Sequence, residues 1–299
     1  MTRFEYYRPQ SLVEATKIME NMDAGKILAG GTDLVIQLKE KKINPKKIVD
    51  ISDIPELNVL IEENDGTLRI GAAVPLAQLV EDTRIKEKFP ILSMAARSVG
   101  SNQVRQRGTL GGNLCNASPS ADTLPALLVL DAKVRIASSD GVREVPLEKF
   151  IIGPGKTVLH SGEIVQEIIV PGINLPYQGV YLKYSRRRTV DLAIVGVAVA
   201  MICNPVKGVC QEAKIALGAV APVPFRVREA EKLFLEVPVS TELIAEAARQ
   251  CVADARPISD VRASSYYRQS LVEALVEKGL RQTWNLAGDR VSKQLEGGK

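Results

Sequence analysis

Apolar positions in the first 130 residues switch repeatedly between the spacing of helices and that of short buried strands. A capping box formed by Ser11 and Glu14 opens the first helix, which ends before Gly25. The remaining apolar runs predict strands at 26–29, 46–52 and 67–73 and helices at 34–42, 75–82 and 89–100. This part of the chain is therefore a mixture of strands and helices.

Strand-like alternation dominates after Asp131, followed by two helices near the end of the chain. Strands are predicted at 133–139, 143–150, 163–170, 179–185, 192–202 and 210–220, and helices at 241–255 and 266–280. Pro171, Gly172 and Pro176 predict a linker, the stretch 204–208 predicts a turn, and Gly279 is expected to cap the last helix. The pattern predicts two domains, residues 1–175 and 176–285, and a polar tail over 286–299 that is a candidate for disorder. The second domain is expected to be a three-stranded antiparallel sheet with a helical layer.

The charge balance excludes several classes of protein. The chain of 299 residues has 39 basic and 35 acidic side chains and a net charge of +4, which is too balanced to indicate nucleic-acid binding. No apolar run reaches the length of a membrane span, and the first residues lack the apolar core of a secretory signal. These features lead us to expect a cytoplasmic protein.

Few side chains are suited to catalysis. The four cysteines have no CxxC spacing and are expected to be free thiols, and the only histidine, His160, is expected in a surface turn. A zinc site or a Ser-His-Asp triad is therefore disfavoured. Any chemistry must come mainly from a molecule that the chain binds.

Two glycine-containing stretches are the best candidates for binding such a molecule. They are "AGGTD" at 29–33 and "GTLGGN" at 108–113. Adjacent glycines leave backbone N–H groups open to an anion, so two such loops would suit a diphosphate, although each could be only a structural turn. Polar side chains suited to a sugar or ribitol chain follow the second stretch at Asn113, Asn116, Ser118, Ser120 and Asp122.

Two standard nucleotide motifs are missing. No G-x-G-x-x-G follows a strand, which disfavours a Rossmann fold. The stretch "FIIGPGKT" has Phe150 where a P-loop needs its first glycine, which disfavours a P-loop.

Four stretches together resemble the FAD-binding subunit of the xanthine dehydrogenase family of molybdenum hydroxylases. They are "LAGGTDL", "RGTLGGNLCNASPSADTLPALLVLDA", "YLKYSRRRTVDLA" and "LGAVAPVPFRVREAE", and the resemblance runs in order from about residue 1 to residue 285. It implies an α+β protein with a vanillyl-alcohol-oxidase-like (PCMH-type) FAD-binding domain of two α/β subdomains and a smaller C-terminal domain. It also implies an oxidoreductase complex.

The resemblance assigns cofactor-binding roles to individual residues. The first loop would wrap the FAD diphosphate with Leu28, Ala29, Gly30, Gly31, Thr32 and Asp33. The second would hold the diphosphate, ribityl chain and flavin edge with Thr109, Gly111, Gly112, Asn113, Ser118 and Asp122. Lys183 would lie near the flavin pyrimidine and Asp191 and Leu192 beside the isoalloxazine; an exposed strand lysine is the alternative for Lys183.

The resemblance also implies the partners. An iron–sulfur small subunit with 2Fe–2S clusters and a molybdopterin large subunit would complete a dimer of heterotrimers, and this chain would pass electrons through FAD to NAD or another acceptor. The chain lacks the cysteine-rich insertion of some hydroxybenzoyl-CoA relatives, and neither loop contains a histidine, so FAD is expected to be noncovalent. A stand-alone flavin enzyme, with Tyr184 and Asp191 as its few acid–base candidates, and a scaffold that has lost FAD are the alternatives.

Overall fold

The computed structural model describes residues 3–20, 25–172, 177–187, 190–204, 209–235 and 237–296. Residues 205–208 of the predicted turn at 204–208, and Pro176 of the predicted linker, lie outside these ranges. The chain divides into two compact units. Unit 1 comprises residues 1–82, 100–118 and 131–172, and unit 2 comprises residues 83–99, 119–130 and 173–299.

Strands and helices occur in both units. The strands are β1 (Glu5–Tyr7), β2 (Gly25–Leu28), β3 (Lys47–Asp50), β4 (Leu60–Glu62), β5 (Leu68–Gly71), β6 (Lys133–Ser138), β7 (Gly141–Pro146), β8 (Ile151–Gly153), β9 (Lys156–Thr157), β10 (Ile164–Val170), β11 (Tyr177–Tyr184), β12 (Val195–Asn204), β13 (Val209–Gly218), β14 (Phe225–Arg226) and β15 (Val237–Pro238). The helices are α1 (Leu12–Glu20), α2 (Leu34–Lys39), α3 (Leu76–Glu81), α4 (Thr83–Lys88), α5 (Pro90–Arg97), α6 (Asn102–Arg107), α7 (Leu110–Cys115), α8 (Thr123–Val129), α9 (Leu147–Phe150), α10 (Arg228–Lys232), α11 (Thr241–Asp254) and α12 (Ser265–Glu296).

Unit 1 contains a parallel sheet in the order β1-β3-β2 and an antiparallel sheet in the order β4-β5-β10-β6-β7. One half of the predicted capping box is present at the start of α1, where Ser11 Oγ accepts a hydrogen bond from Glu14 N at 3.2 Å. The Glu14 carboxylate accepts from Gln10 N at 2.8 Å, one residue before the position that a capping box uses. Buried side chains of α1, such as Ala15, pack with Val49 of β3 and Ile164 of β10 in one hydrophobic cluster. Ile27 of β2 and Ala29, the first residue of the glycine stretch, pack against this cluster, which therefore holds the end of β2 in place.

The predicted strand over 143–150 is wrong in its second half. β7 ends at Pro146, and Leu147 to Phe150 form the short helix α9. Leu147 and Phe150 are both buried, because one helical turn points residues three apart in the same direction.

Unit 2 is built on an antiparallel sheet in the order β11-β12-β13-β14, with β15 also paired to β13. The three long strands were predicted, but the expectation of a three-stranded sheet is corrected by the two-residue strands β14 and β15. Helices α11 and α12 pack against one another, and α12 packs on β11 and β12. Val199 and Ile215 of the sheet and Val276 of α12 are buried together in the main core of this unit.

The expectation that Gly279 caps the last helix is wrong. α12 continues through this residue to Glu296, so the backbone of the predicted tail is helical as far as that residue. A Cβ at Gly279 would lie 3.0 Å from Val199 Cγ2, closer than ordinary contact. Gly279 therefore serves close packing of the helix on the sheet.

The described residues contain neither a membrane-spanning helix nor a metal-binding group. Within those ranges, no helix has both the length and the apolar character that crossing a membrane requires. In the same ranges, no group of histidine, cysteine or acidic side chains could hold a metal ion. His160 is exposed, as predicted.

Candidate functional site

The first glycine loop, residues 28–33, connects β2 to α2 in unit 1. Its residues are half-buried except Asp33, which is exposed. Gly31 has φ of +73°, in the left-handed region that glycine adopts without strain. This conformation turns the chain sharply between strand and helix.

The backbone N–H groups of this loop lack acceptors in the described protein. Val35 N, which donates to Gly31 O at 3.0 Å, is the first N–H after β2 with a hydrogen bond; those from Ala29 to Leu34 form none with described residues. Most of these residues are half-buried, and a backbone N–H group that is shielded from water is costly to leave without an acceptor. A run of N–H groups around a left-handed residue forms a concavity suited to an anion. The first glycine loop therefore fits a diphosphate.

The second glycine loop, residues 107–113, has the opposite arrangement. Leu110 N donates to Val74 O at 3.1 Å, and Gly111 N donates to Ala72 O at 3.0 Å. Gly112 N donates to the side chain of Thr109, which is the N-cap of α7, at 3.0 Å. The glycines that the sequence suggested were in a turn thus lie in the first turn of a helix. Their N–H groups are already used by the protein.

The glycines of the second loop differ from each other in their surroundings. Gly111 is buried, and a Cβ there would lie 2.6 Å from Ala72 Cβ. Gly112 is exposed, and the one atom a Cβ would crowd is Thr109 Oγ1 at 2.9 Å. Neither has a positive φ, so left-handed backbone is not the reason for glycine at either position.

The two loops lie against each other although about eighty residues separate them. A Cβ on Gly30 would lie 1.8 Å from Arg107 O and 2.9 Å from Gly108 Cα. A Cβ on Gly108 would lie 3.4 Å from Thr32 Oγ1. Position 30 requires glycine because the backbone of the second loop, at Arg107 and Gly108, contacts the backbone of the first loop directly. The second loop, braced on residues 72–76, supports the first.

A buried polar cluster in unit 2 joins two more predicted site residues. Lys183 Nζ lies 2.8 Å from Asp122 Oδ2 and donates to Ser98 O at 3.0 Å. The side chains of Lys183 and Asp122 are only 12% and 7% exposed. Tyr181 OH donates to the other carboxylate oxygen, Asp122 Oδ1, at 2.7 Å. Lys183 is therefore not the exposed strand lysine of the alternative interpretation.

Tyr181 and Ser98 were missed by the sequence reasoning. Tyr181 precedes Lys183 by two residues on β11, so both side chains lie on the same side of the strand, a signal that alternation could have provided. Ser98 follows α5 and is distant in sequence from both, so no local pattern points to it.

Asp122 is held by tertiary contacts and not by its own helix. It occupies the N-cap position of α8 but makes no capping hydrogen bond. Burial raises the pKa of Asp122, and the opposing effects of Lys183 and of the hydroxyl donors do not cancel that increase. The carboxylate of Asp122 therefore bonds Lys183 and Tyr181 and does not cap α8.

Asp191 organises the loop after β11. Its carboxylate accepts hydrogen bonds from Arg187 N at 3.1 Å and from Leu192 N at 3.0 Å. Partial burial acts to raise the pKa of Asp191, but these backbone donors lower it overall. Leu192 is 48% exposed, which leaves an apolar side chain on this loop open to a ligand.

Tyr184, an acid–base candidate of the stand-alone enzyme, is paired with another tyrosine. Its hydroxyl accepts a hydrogen bond from Tyr267 OH at 2.9 Å, and the rings meet edge to face at 6.1 Å. Its neighbour is thus a second phenol and not a carboxylate or an imidazole that could serve as a base.

Comparison with known proteins identifies related chains over nearly the whole length. The model described as the FAD binding domain in molybdopterin dehydrogenase matches residues 2–173, and that of the CO dehydrogenase flavoprotein C-terminal domain matches residues 180–283. The chain is 34% identical to the xanthine dehydrogenase FAD-binding subunit of Escherichia coli O157:H7, covering 96% of this chain and 98% of the relative. It is 35% identical to the glyceraldehyde dehydrogenase medium chain of Sulfolobus acidocaldarius, covering 93% and 98%.

A solved structure shows the same fold. Carbon monoxide dehydrogenase from Hydrogenophaga pseudoflava superposes with a TM-score of 0.91 at 31% identity, covering 95% of this chain and 98% of that chain. The chain therefore belongs to the FAD-binding subunits of the xanthine dehydrogenase and carbon monoxide dehydrogenase family of molybdenum hydroxylases, which are oxidoreductases.

Proposed function

We propose that this chain binds FAD noncovalently and passes electrons from iron–sulfur clusters in a partner subunit to an acceptor such as NAD. The observation that carries the proposal is the run of backbone N–H groups from Ala29 to Leu34, which have no acceptor in the described protein. A diphosphate would supply those acceptors. FAD supplies an isoalloxazine that takes up electrons singly and releases them as a pair.

The residues of the two loops have different tasks in this proposal. Residues 29–34 donate backbone N–H groups to the diphosphate. The second loop contacts the first loop and holds it in place. Its exposed Gly112 allows close approach of the cofactor, since a side chain there would occupy that space. Asn113 and Ser118, both half-buried, supply polar side chains to the ribityl part.

The unit 2 residues act on the flavin ring in this proposal. Lys183 presents a positive charge that Asp122 and Ser98 hold in place, and Leu192 presents an apolar surface. A cation close to the ring favours the reduced, negatively charged form. Asp122 opposes that effect by partly neutralising Lys183, so the two side chains are expected to shift the FAD reduction potential in opposite directions.

The partners follow from the relatives. The matched relatives include an FAD-binding subunit of xanthine dehydrogenase and a medium chain of carbon monoxide dehydrogenase. We therefore propose an iron–sulfur small subunit and a molybdopterin large subunit as partners, arranged as a dimer of heterotrimers. The oxidation of substrate occurs in the molybdopterin subunit, which explains why the present chain needs no general base.

The first experiment measures FAD binding by the purified chain. We expect the apoprotein to bind FAD with the appearance of protein-bound flavin absorbance, and acid precipitation to release all of it, as for a noncovalent cofactor. Candidate small substrates should not reduce the flavin of the isolated chain. A chain that gains no flavin absorbance contradicts the proposal, and rapid substrate-dependent reduction would favour the stand-alone enzyme.

The second experiment tests the unit 2 residues by potentiometry. Lys183→Met should leave FAD bound but lower its reduction potential, whereas Asp122→Asn should raise it. Tyr184→Phe is the matched control on the same strand and should leave the potential unchanged. Equal potentials in all three variants would remove Lys183 from the flavin site.

A further inference from the structure

Two cysteines face each other across neighbouring strands of unit 2. Cys203 of β12 is the register partner of Cys210 of β13. Residues directly opposite in an antiparallel pair have Cα atoms about 4.5–5.5 Å apart. A disulfide needs a separation of roughly 4.4–6.8 Å. The backbone therefore already holds this pair at a spacing that a disulfide can bridge.

The two side chains also lie on the same face of the sheet, because residues directly opposite each other in an antiparallel pair project to the same side. Cys203 packs, partly buried, against the hydrophobic cluster of unit 2 that contains Cys210. A register shift between Ile202 and Cys203 places the pair at an irregularity in the ladder, where the strands can adjust. Formation of a bond would therefore need little movement of the sheet.

The two sulfurs differ in a way that suits stepwise oxidation. Cys203 is half-buried, and the neighbouring Cys210 thiol lowers its pKa although burial opposes this. Cys210 is fully buried, with its sulfur 3.3 Å from Glu212 O, and its pKa is raised. The thiolate is the reactive form of cysteine, so an oxidant meets Cys203 first.

We propose that Cys203 and Cys210 are a redox modification site that hydrogen peroxide converts reversibly to a disulfide. The thiolate of Cys203 attacks one oxygen of the peroxide, the O–O bond breaks, and the departing hydroxide takes up the Cys203 proton as water. The sulfur of Cys210 then attacks the resulting sulfenic acid, forming the S–S bond. The second hydroxide leaves with the Cys210 proton, so two thiols lose two electrons and one peroxide gains them.

The test is a peptide map of the full chain treated with hydrogen peroxide, alkylated and digested without reductant. Trypsin can cut after Lys207, so Cys203 and Cys210 fall in separate peptides, 189–207 and 208–214. We expect these two peptides to be linked, with the mass of two hydrogens lost, and dithiothreitol to separate them. The linked species should be absent from Cys203→Ser and from Cys210→Ser.

Cys115→Ser is the matched control, because this exposed thiol lies on α7 of unit 1 and is no part of the pair. It should form the linked peptides as the wild type does. Should Cys210→Ser fail to fold, the wild-type map and Cys203→Ser decide the question. Both thiols remaining open to alkylation, Cys203 advancing to the sulfinic acid, or either cysteine linking elsewhere would each overturn the proposal.

Discussion

The two glycine loops of unit 1 look alike in sequence but differ in what their backbones bond. In the first loop, the N–H groups from Ala29 to Leu34 have no acceptor among the described residues. In the second, the N–H groups of Leu110, Gly111 and Gly112 all donate to the protein itself. A pair of glycines thus indicates close approach, but the approaching group can be a ligand or another part of the chain.

The contact between the loops explains why both are needed. Because Gly30 has no side chain, the carbonyl of Arg107 contacts the first loop directly. Because Gly111 has none, the second loop packs directly against Ala72. The second loop is therefore a support in which the N–H groups of Leu110, Gly111 and Gly112 are bonded within the protein. The first loop is left to bind an anion.

The largest effect is expected from Gly30→Ala, which should separate the two loops. A methyl group 1.8 Å from Arg107 O cannot be accommodated without moving backbone. We expect a loss of stability of about 3 kcal/mol, near the upper end for overpacking, and no measurable FAD binding. Gly153→Ala is the control, since its Cβ would meet Lys156 at an ordinary 3.9 Å. Calorimetry and FAD titration of the apoproteins measure both effects, and a Gly30→Ala chain that binds FAD normally would refute the supporting contact.

Gly111→Ala should lower stability while leaving the affinity of the folded protein for FAD nearly unchanged. The added methyl would lie 2.6 Å from both Ala72 Cβ and Ala72 O, for an expected cost of about 2–3 kcal/mol. Thermal unfolding of the apoprotein and an FAD dissociation constant measured well below the midpoint separate the two quantities. A tenfold weaker affinity in fully folded protein would show that the second loop bonds the cofactor through this residue.

Gly112→Val should do the reverse and lower FAD affinity by about 2 kcal/mol, because the side chain would occupy exposed space that the cofactor approaches. It would also crowd Thr109 Oγ1, so Thr109→Val, which removes that cap hydroxyl without adding bulk at Gly112, is the matched control. Thr109→Val should cost about 1 kcal/mol of apoprotein stability. Equal FAD affinities of wild type and Gly112→Val would remove the second loop from contact with the diphosphate.

The smallest effect is expected from Gly31→Ala. An L-residue at a φ of +73° is disfavoured by about 1–2 kcal/mol. The first loop can relieve this strain by changing shape, because its N–H groups from Ala29 to Leu34 are not bonded to the described protein. We therefore expect roughly tenfold weaker FAD binding and little change in apoprotein stability. Gly155→Ala, at a φ of +68° with open space around it, imposes the same backbone strain away from the loop. If both variants bind FAD equally well, the shape of the first loop does not determine affinity.

Local patterns predicted most of the elements that position these groups. The capping box placed α1, and the apolar runs placed the three long strands of unit 2, because burial on one face leaves a periodic trace in sequence. The family was identifiable from four motifs, and the relatives confirm it. The two-residue strands β14 and β15 were missed because segments so short show no alternation.

Tertiary structure decided what each glycine does. The sequence could not tell Gly111 from Gly112, since their difference lies in Ala72, which is brought near by the bonds between residues 72–76 and the second loop. It could not predict that Gly279 continues a helix, because the reason is the proximity of Val199.

The same holds for the polar side chains. Asp122 has the sequence signature of a helix cap, yet its carboxylate pairs with Lys183 and Tyr181, which β11 places beside it. By itself the sequence determined which residue types were available and which local elements they form. Which donors are satisfied within the protein depends on segments distant in sequence, and only the folded chain brings these together.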